Sequence, residues 1–339
     1  MKTFASDNTV PAHPLLLKSL EMENQAWASA YGADSKTVSI EKLFQKHFGS
    51  AAQAFPVFNG TGANVTAISS CMLPHEAVIC PDTAHLQVDE CGALEKFAGV
   101  KILALPTKDG KLCPEQIEPF LTYKGDPHRV QPRVISISQT TELGTVYSSQ
   151  EVKALADFAH AHKMFLHVDG ARFSNAVVSL NGSLKSLSAD LGVDVLSFGG
   201  TKNGMLLGEA VVFFNQPQFA ERFHFVRKQA MQLASKMRYL SCQFEAYLEK
   251  EIWKTNALHA NEMAQRLYKG VSNLEAIPVL YPVQANAIFV RLSPPLVERL
   301  QKDFYFYVVD PKGPIARWMT SWNTTPTDVD QFVAAIASS

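Results

Sequence analysis

The chain is poor in cysteine, with five in 339 residues. These five, Cys71, Cys80, Cys91, Cys113 and Cys242, are an odd number without a single C-x-x-C pair. A disulfide framework and a cysteine zinc site are both excluded by that arrangement. No excess of charge of one sign is present either: 31 basic residues face 32 acidic ones, for a formal net charge of -1. Nucleic acids and anionic membranes are held by concentrated basic surface, so neither is expected as a partner. Long hydrophobic runs are missing too. The N-terminal region holds only Leu15, Leu16 and Leu17 together, broken from what precedes by Pro11 and Pro14, which is not the apolar core of a signal peptide. No stretch is long enough to span a bilayer, and there is no repeat or low-complexity tract. The expectation is a cytoplasmic protein with reduced thiols, acting on a small molecule or another protein.

What is present is ordinary globular material in quantity. With 47% hydrophobic residues over 339 positions, the chain can bury a large core and make about two domains. Short apolar runs, "AFPVF" (Ala54–Phe58), "EAVIC" (Glu76–Cys80), "VKILALP" (Val100–Pro106) and "RVISIS" (Arg133–Ser138), alternate with helix-compatible segments. Ser148 and Glu151 have the spacing of a capping box, and Val152, Leu155, Ala156 and Ala159 form an apolar stripe behind it, so a helix begins there. It leads into "MFLHVDGAR", and "VDVLSF" repeats the strand-then-break event about thirty residues later, the length of one parallel crossover. The result is an α/β core, whose strand ends are the usual place for a ligand. After Phe214 the pattern turns helical, without a glycine until Gly270. "NAIFVRLS", "YFYVVD" and "PIARWMTSW" then look like strands of a smaller α+β unit. A closing helix is capped by Thr325 with Pro326 at its first position. The expected division is a large domain over 1–250 and a small one over 251–339.

Four features fall at predicted strand ends. "NGTGAN" (Asn59–Asn64) is a glycine turn entering a helix, which leaves backbone N–H groups available to a phosphate. It is not the dinucleotide fingerprint, because Val65 stands where the third glycine belongs. With no acidic residue at the tip of a suitable second strand, a nicotinamide dehydrogenase is disfavoured. "HVDGAR" puts Asp169 at a strand tip and Arg172 three residues on. "SFGGTKNG" sets Lys202 among glycines too small to cover it, and "TAHLQVDECGA" places His85 after the "EAVICPD" strand. Alone, each is equally an ordinary turn, surface charge or structural histidine. Together they match the needs of pyridoxal phosphate: an amine for a Schiff base, an acid for the pyridinium nitrogen, phosphate anchors and a ring to stack on its face.

On "HVDGARFSNA", "LSFGGTKNG", "GTGAN" and the His85 segment, in that spacing and from "SDN" at Ser6 to "ARWMTSW", the chain resembles the threonine aldolases. These belong to the β-eliminating lyase group of fold type I pyridoxal-phosphate enzymes. The Thr-Lys form departs from the Ser-Lys-Gly form of many members and points to a distinct branch. The resemblance implies an aspartate-aminotransferase-like fold with a mostly parallel seven-stranded sheet. It implies retro-aldol cleavage of L-threonine, L-allo-threonine and related β-hydroxy amino acids to glycine and an aldehyde. Another fold type I activity, a β-eliminating lyase or an aminotransferase, is the alternative. It implies that Lys202 carries the cofactor, Asp169 keeps its ring nitrogen protonated, His85 stacks on it, and Gly60, Thr61, Gly62 and Thr201 hold its phosphate. Ser6, Arg172 and Arg317 correspond to the substrate-carboxylate site, His85 and His128 to candidate bases. Arg227, Lys228 and Arg238 are either surface charges or reach a neighbouring subunit's cofactor, and the implied assembly is a dimer or tetramer with shared sites. No metal is expected.

Overall fold

The structure is a computed structural model, described here for residues 2–275, 277–310 and 313–338. A short N-terminal strand, β1 (Lys2–Thr3), precedes the main sheet, whose strands are β2 (Ala52–Val57), β3 (Glu76–Pro81), β4 (Lys101–Leu105), β5 (Gln131–Ser138), β6 (Phe165–Gly170), β7 (Val195–Gly199) and β8 (Glu209–Phe214). Their spatial order is β2-β8-β7-β6-β5-β3-β4. All contacts are parallel except those of β8, which runs against both β7 and β2. This is the mostly parallel seven-stranded sheet expected.

Central strands covered by helices on both faces must be apolar on both faces. β7 and β8 are buried throughout, and alternate residues feed two cores. Ile79, Leu166, Val168, Leu196 and Phe198 point to one, while Val78, Cys80, Val134 and Val195 point to the other. The Ser148–Glu151 capping box forms, and Val152, Leu155, Ala156 and Ala159 are the buried face of the helix Ser149–Ala161. Because β2, β3, β5, β6 and β7 all run the same way, their C-terminal ends share one edge of the sheet, and the start of the opposed β8 joins them there.

The C-terminal unit is a three-stranded antiparallel sheet of β9 (Ala287–Arg291), β11 (Tyr307–Asp310) and β12 (Ile315–Met319), in the order β11-β12-β9. It is closed by the helix Pro326–Ala337, with Thr325 as its cap and Pro326 at its start. The chain's first residues cross the anticipated division at 250. β1 pairs in parallel with β10 (Phe304–Tyr305), and Phe4 stacks on Phe332 at 4.5 Å inside the small core. The helix Ile252–Val271 serves both units: Ile252, Trp253 and Ala257 lie in the large core, Met263, Ala264, Leu267 and Val271 in the small one.

Candidate active site

Gly60, Asn64, His85, Ser138, Thr140, Glu142, Asp169, Ala171, Arg172 and Lys202 line one cleft of about 410 Å³, mouth included. Three groups drawn from widely separated stretches, the Lys202 amine, the Asp169 carboxylate and the turn at Gly60, therefore converge.

Lys202 sits in the single 3-10 turn Thr201–Asn203 that leaves β7. The glycines before it answer to close packing. A Cβ on Gly199 would lie 2.4 Å from the Ala171 carbonyl oxygen, and one on Gly200 would lie 2.2 Å from the Met205 sulfur. Only a bare backbone lets the turn fold against β6 and deliver the lysine to the cleft. Burial, then the nearby Arg172 charge, holds the Lys202 ammonium below its usual pKa, which favours the neutral, nucleophilic amine.

Asp169, at the end of β6, is 8% exposed. Its Oδ1 accepts the Ala171 N–H at 3.0 Å and its Oδ2 accepts Asn64 Nδ2 at 2.8 Å. Asn64 donates also to Glu90 Oε1 at 2.8 Å, and that oxygen lies 2.8 Å from His85 Nδ1. A chain of contacts thus links the aspartate to the imidazole through Asn64 and Glu90. The Glu90 hydrogen bond, against an opposing burial penalty and helped by Asp169, raises the His85 pKa. Of two further acids, Glu142 lines the cleft and Glu209 sits behind the turn that carries Lys202. Burial pushes Glu142 up to about 7 and Glu209 up to about 7; the first accepts Ser138 Oγ at 2.6 Å and the His85 N–H at 2.9 Å, the second the Gly200 N–H at 2.8 Å.

The turn after β2 forms as a helix N-terminus, Gly60–Cys71, capped by Asn59. Gly60 borders the cleft with nothing within 4 Å of where its Cβ would be, and the first N–H groups of a helix have no internal partner. Gly60 and Thr61 therefore suit an anion. Gly62 does not. Its N–H is taken by Asn59 Oδ1 at 2.7 Å, and a Cβ there would be 2.3 Å from Gln232 Cδ, so this glycine makes room for a side chain. Thr201 is likewise engaged, its hydroxyl accepting the Gly208 N–H at 3.1 Å.

The carboxylate site divides unevenly. Ser6 Oγ caps its own turn, accepting the Asn8 N–H at 3.2 Å. Arg172 is clamped by the buried Asp7, Nε to Oδ2 at 2.6 Å and Nη2 to Oδ1 at 2.8 Å. Despite the cost of burial, that pairing lowers the Asp7 pKa and raises that of Arg172. Arg172 Nη2 also meets Met319 Sδ at 3.5 Å, two residues from Arg317 on the same face of β12. Among the described residues, Arg317 makes a 3.3 Å bond from Nη2 to the Ala5 carbonyl and lies over the Tyr307 ring at 5.5 Å, while its Nε is buried with no hydrogen-bond partner. Burial and the Arg172 charge disfavour its cationic form. A half-buried guanidinium with an unmatched Nε beside a second cation suits an anion.

His128 requires a correction. It precedes β5, and its N–H bonds Asp126 on an exposed turn. The seven steps from Gln131 to Ser138 along β5 separate it from the cleft by about 23 Å, at the opposite edge of the sheet, so it is no base for this chain's own site. Arg227 is also no surface charge: it is buried over the Phe55 and Phe223 rings at 5.5 and 5.9 Å. Lys228 lies over Tyr31 at 4.7 Å, and Arg238 meets Tyr239. Sequence reading passed over Asp7, Glu90 and Glu142. Asp7 lies within the quoted "SDN" and Glu90 five positions after His85; nothing local marked Glu142.

The donor set fits pyridoxal phosphate: an amine, a carboxylate at a strand end, an imidazole on one wall and open N–H groups at a helix start. Among the described residues no three His, Cys, Asp or Glu side chains are grouped to hold a metal. A low specificity L-threonine aldolase from a Pseudomonas species is 42% identical over 98% of this chain and 96% of its own length. One from Pseudomonas aeruginosa is 42% identical over 95% and 93%. The solved structure of Leishmania major threonine aldolase superposes with a TM-score of 0.94 at 31% identity, covering 100% of this chain and 99% of that one. With the β-eliminating lyase profile matching residues 3–294 as well, the shared cleft and the sequence lead to one family, and the chain belongs to the β-eliminating lyases.

Proposed function

We infer that this protein is a pyridoxal-phosphate-dependent aldolase that cleaves L-threonine, L-allo-threonine and related β-hydroxy-α-amino acids to glycine and an aldehyde. The observation that carries the reading is the convergence of Lys202, Asp169, His85 and Gly60 on one cleft in a chain so similar to low specificity L-threonine aldolases.

Bound there, the cofactor supplies an electron sink for the pair left on Cα when a bond to that carbon breaks. The chain's residues do the rest. Lys202 holds the cofactor through its amine. Asp169, fixed by Asn64 and the Ala171 N–H, would hold a proton on the ring nitrogen, and His85 would line the ring. Gly60 and Thr61 present N–H groups to the phosphate. Arg317 receives the substrate carboxylate, with Arg172 and Asp7 setting the charge around it. Fixing the carboxylate would orient the substrate and so select which bond to Cα is presented for cleavage.

Large side chains left exposed at Trp27 (92%), Phe225 (73%) and Met231 (67%) support a homo-oligomer, a point that sedimentation velocity tests directly. Unpaired thiols at all five cysteines support a reducing compartment. The activity itself is tested by supplying each amino acid and measuring glycine and acetaldehyde. Pyruvate or another oxo acid as product would move the assignment to a β-lyase or an aminotransferase.

A further inference from the structure

Cleaving the Cα–Cβ bond of a β-hydroxy amino acid requires a group that removes the hydroxyl proton, and the acids and bases around the cleft are not equally able to do so. His85 has Nδ1 against the Glu90 carboxylate at 2.8 Å, which favours the imidazolium, a form with no lone pair to offer. Asp169 has both oxygens engaged, by the Ala171 N–H and by Asn64. Glu90 has a bare oxygen but does not line the cleft.

Glu142 differs from all three. It lines the cleft; Oε1 is anchored by Ser138 Oγ at 2.6 Å and by the His85 N–H at 2.9 Å; and Oε2 is buried with no hydrogen-bond partner among the described residues. An orphaned carboxylate oxygen in a native site calls for an explanation, and a substrate hydroxyl is the missing donor.

We propose that Glu142 is the base of the cleavage step, taking the β-hydroxyl proton of the bound amino acid on Oε2. As the proton moves to the carboxylate, the O–H bonding pair becomes the second C–O bond of the aldehyde. The Cα–Cβ pair remains on Cα, which later takes a proton to give glycine. In the reverse direction the carboxylic acid returns the proton to the aldehyde oxygen. Burial and the Asp169 charge on β6 raise its proton affinity, while the Ser138 hydroxyl and the His85 N–H lower it; Cys80 on β3, Arg172 and Tyr147 on its own segment also face it. Burial brings it to about 7, where a group can both accept and donate a proton near neutrality.

The proposal rests on the aldolase reading, and the test separates the two. Wild-type holoenzyme forming glycine and acetaldehyde from L-threonine carries that reading, independently of any variant. E142Q should then lower kcat for aldehyde release by about 10²–10⁴-fold and remove the limb of the pH profile near 7. Visible cofactor absorbance and α-hydrogen exchange of glycine in deuterium oxide, which needs no hydroxyl chemistry, should stay close to wild type and prove the variant folded. S138A, which removes a donor to the carboxylate, should shift the same limb to higher pH. Infrared titration should show carboxyl signals that change protonation near neutrality in wild type, from Glu142 and Glu209; the signal that survives in E209Q should be missing in E142Q. Aldehyde release within threefold of wild type, an unchanged pH limb, or an equal loss of glycine exchange in E142Q would each overturn the assignment.

Discussion

The floor of the cleft and the arginine on β12 treat buried charge in opposite ways. Around Asp169 the carboxylate has both oxygens engaged before any ligand arrives, with Asn64 bridging Asp169 and Glu90 and Glu90 meeting His85, although Asn64 Oδ1 and Glu90 Oε2 have no partner among the described residues. At Arg317 the guanidinium keeps a ring contact with Tyr307 and one bond to the Ala5 carbonyl, and its Nε is unmatched among the described residues. The difference matches how long each occupant stays. A resident cofactor is best met by a preorganised set that needs no rearrangement, whereas a substrate that comes and goes needs a site whose charge is satisfied only on binding. Arg172 shows the contrast within one residue type: it lies close to Arg317, yet Asp7 already holds it at 2.6 and 2.8 Å.

The comparison makes graded predictions. The deepest loss should come from K202A, which removes the covalent anchor; turnover should vanish together with the visible absorbance, and full activity in that variant would end the reading. D169N should retain bound cofactor but reduce kcat about 10²–10³-fold, the cost of removing a preorganised charged partner from a closed site. R317K should break the asymmetry differently, raising KM by about 10–100-fold, because a point cation replaces a fork made for a carboxylate and a charged hydrogen bond contributes about 1.5–3 kcal/mol. If R317K instead changed kcat alone, the distinction between resident and transient partners would fail.

Smaller effects concern the fold. Glu209 has a folded-state pKa of about 7 against an ordinary value near 4.5, so its neutral form is favoured by the fold. Its contribution to stability is complete below the ordinary value and is lost as pH rises through about 7. Urea midpoints should therefore decline over that interval in wild type and decline less in E209Q, whose carbonyl still accepts the Gly200 N–H. S148A removes only a helix cap and should cost about 1 kcal/mol by the same measurement.

What the sequence discloses follows the range of the physics involved. Caps such as Ser148–Glu151 and Thr325–Pro326 are written in three or four adjacent residues and form as expected. The break after each parallel strand announces Asp169 and Lys202, since strand direction alone brings such breaks to one edge. The clamp of Asp7 on Arg172 joins residues 165 apart and has no local mark. Gly62 looks like a phosphate-binding glycine until Gln232, from a distant helix end, is seen packed on it. His128 resembled a catalytic histidine by its place in the chain, but it precedes a parallel strand where Asp169 ends one, and that polarity sends the two to opposite edges. Glu142 is legible only in three dimensions, because its distinguishing feature is a buried oxygen without a hydrogen-bond partner among the described residues.

The strand at Lys2–Thr3 pairs with Phe304–Tyr305, and only a few residues later the same segment places Asp7 on Arg172. For anyone preparing the protein this has a practical side. A purification tag at the N-terminus hangs from a stitch that leads straight to the catalytic pocket, and its removal by an overeager protease would unpick that stitch.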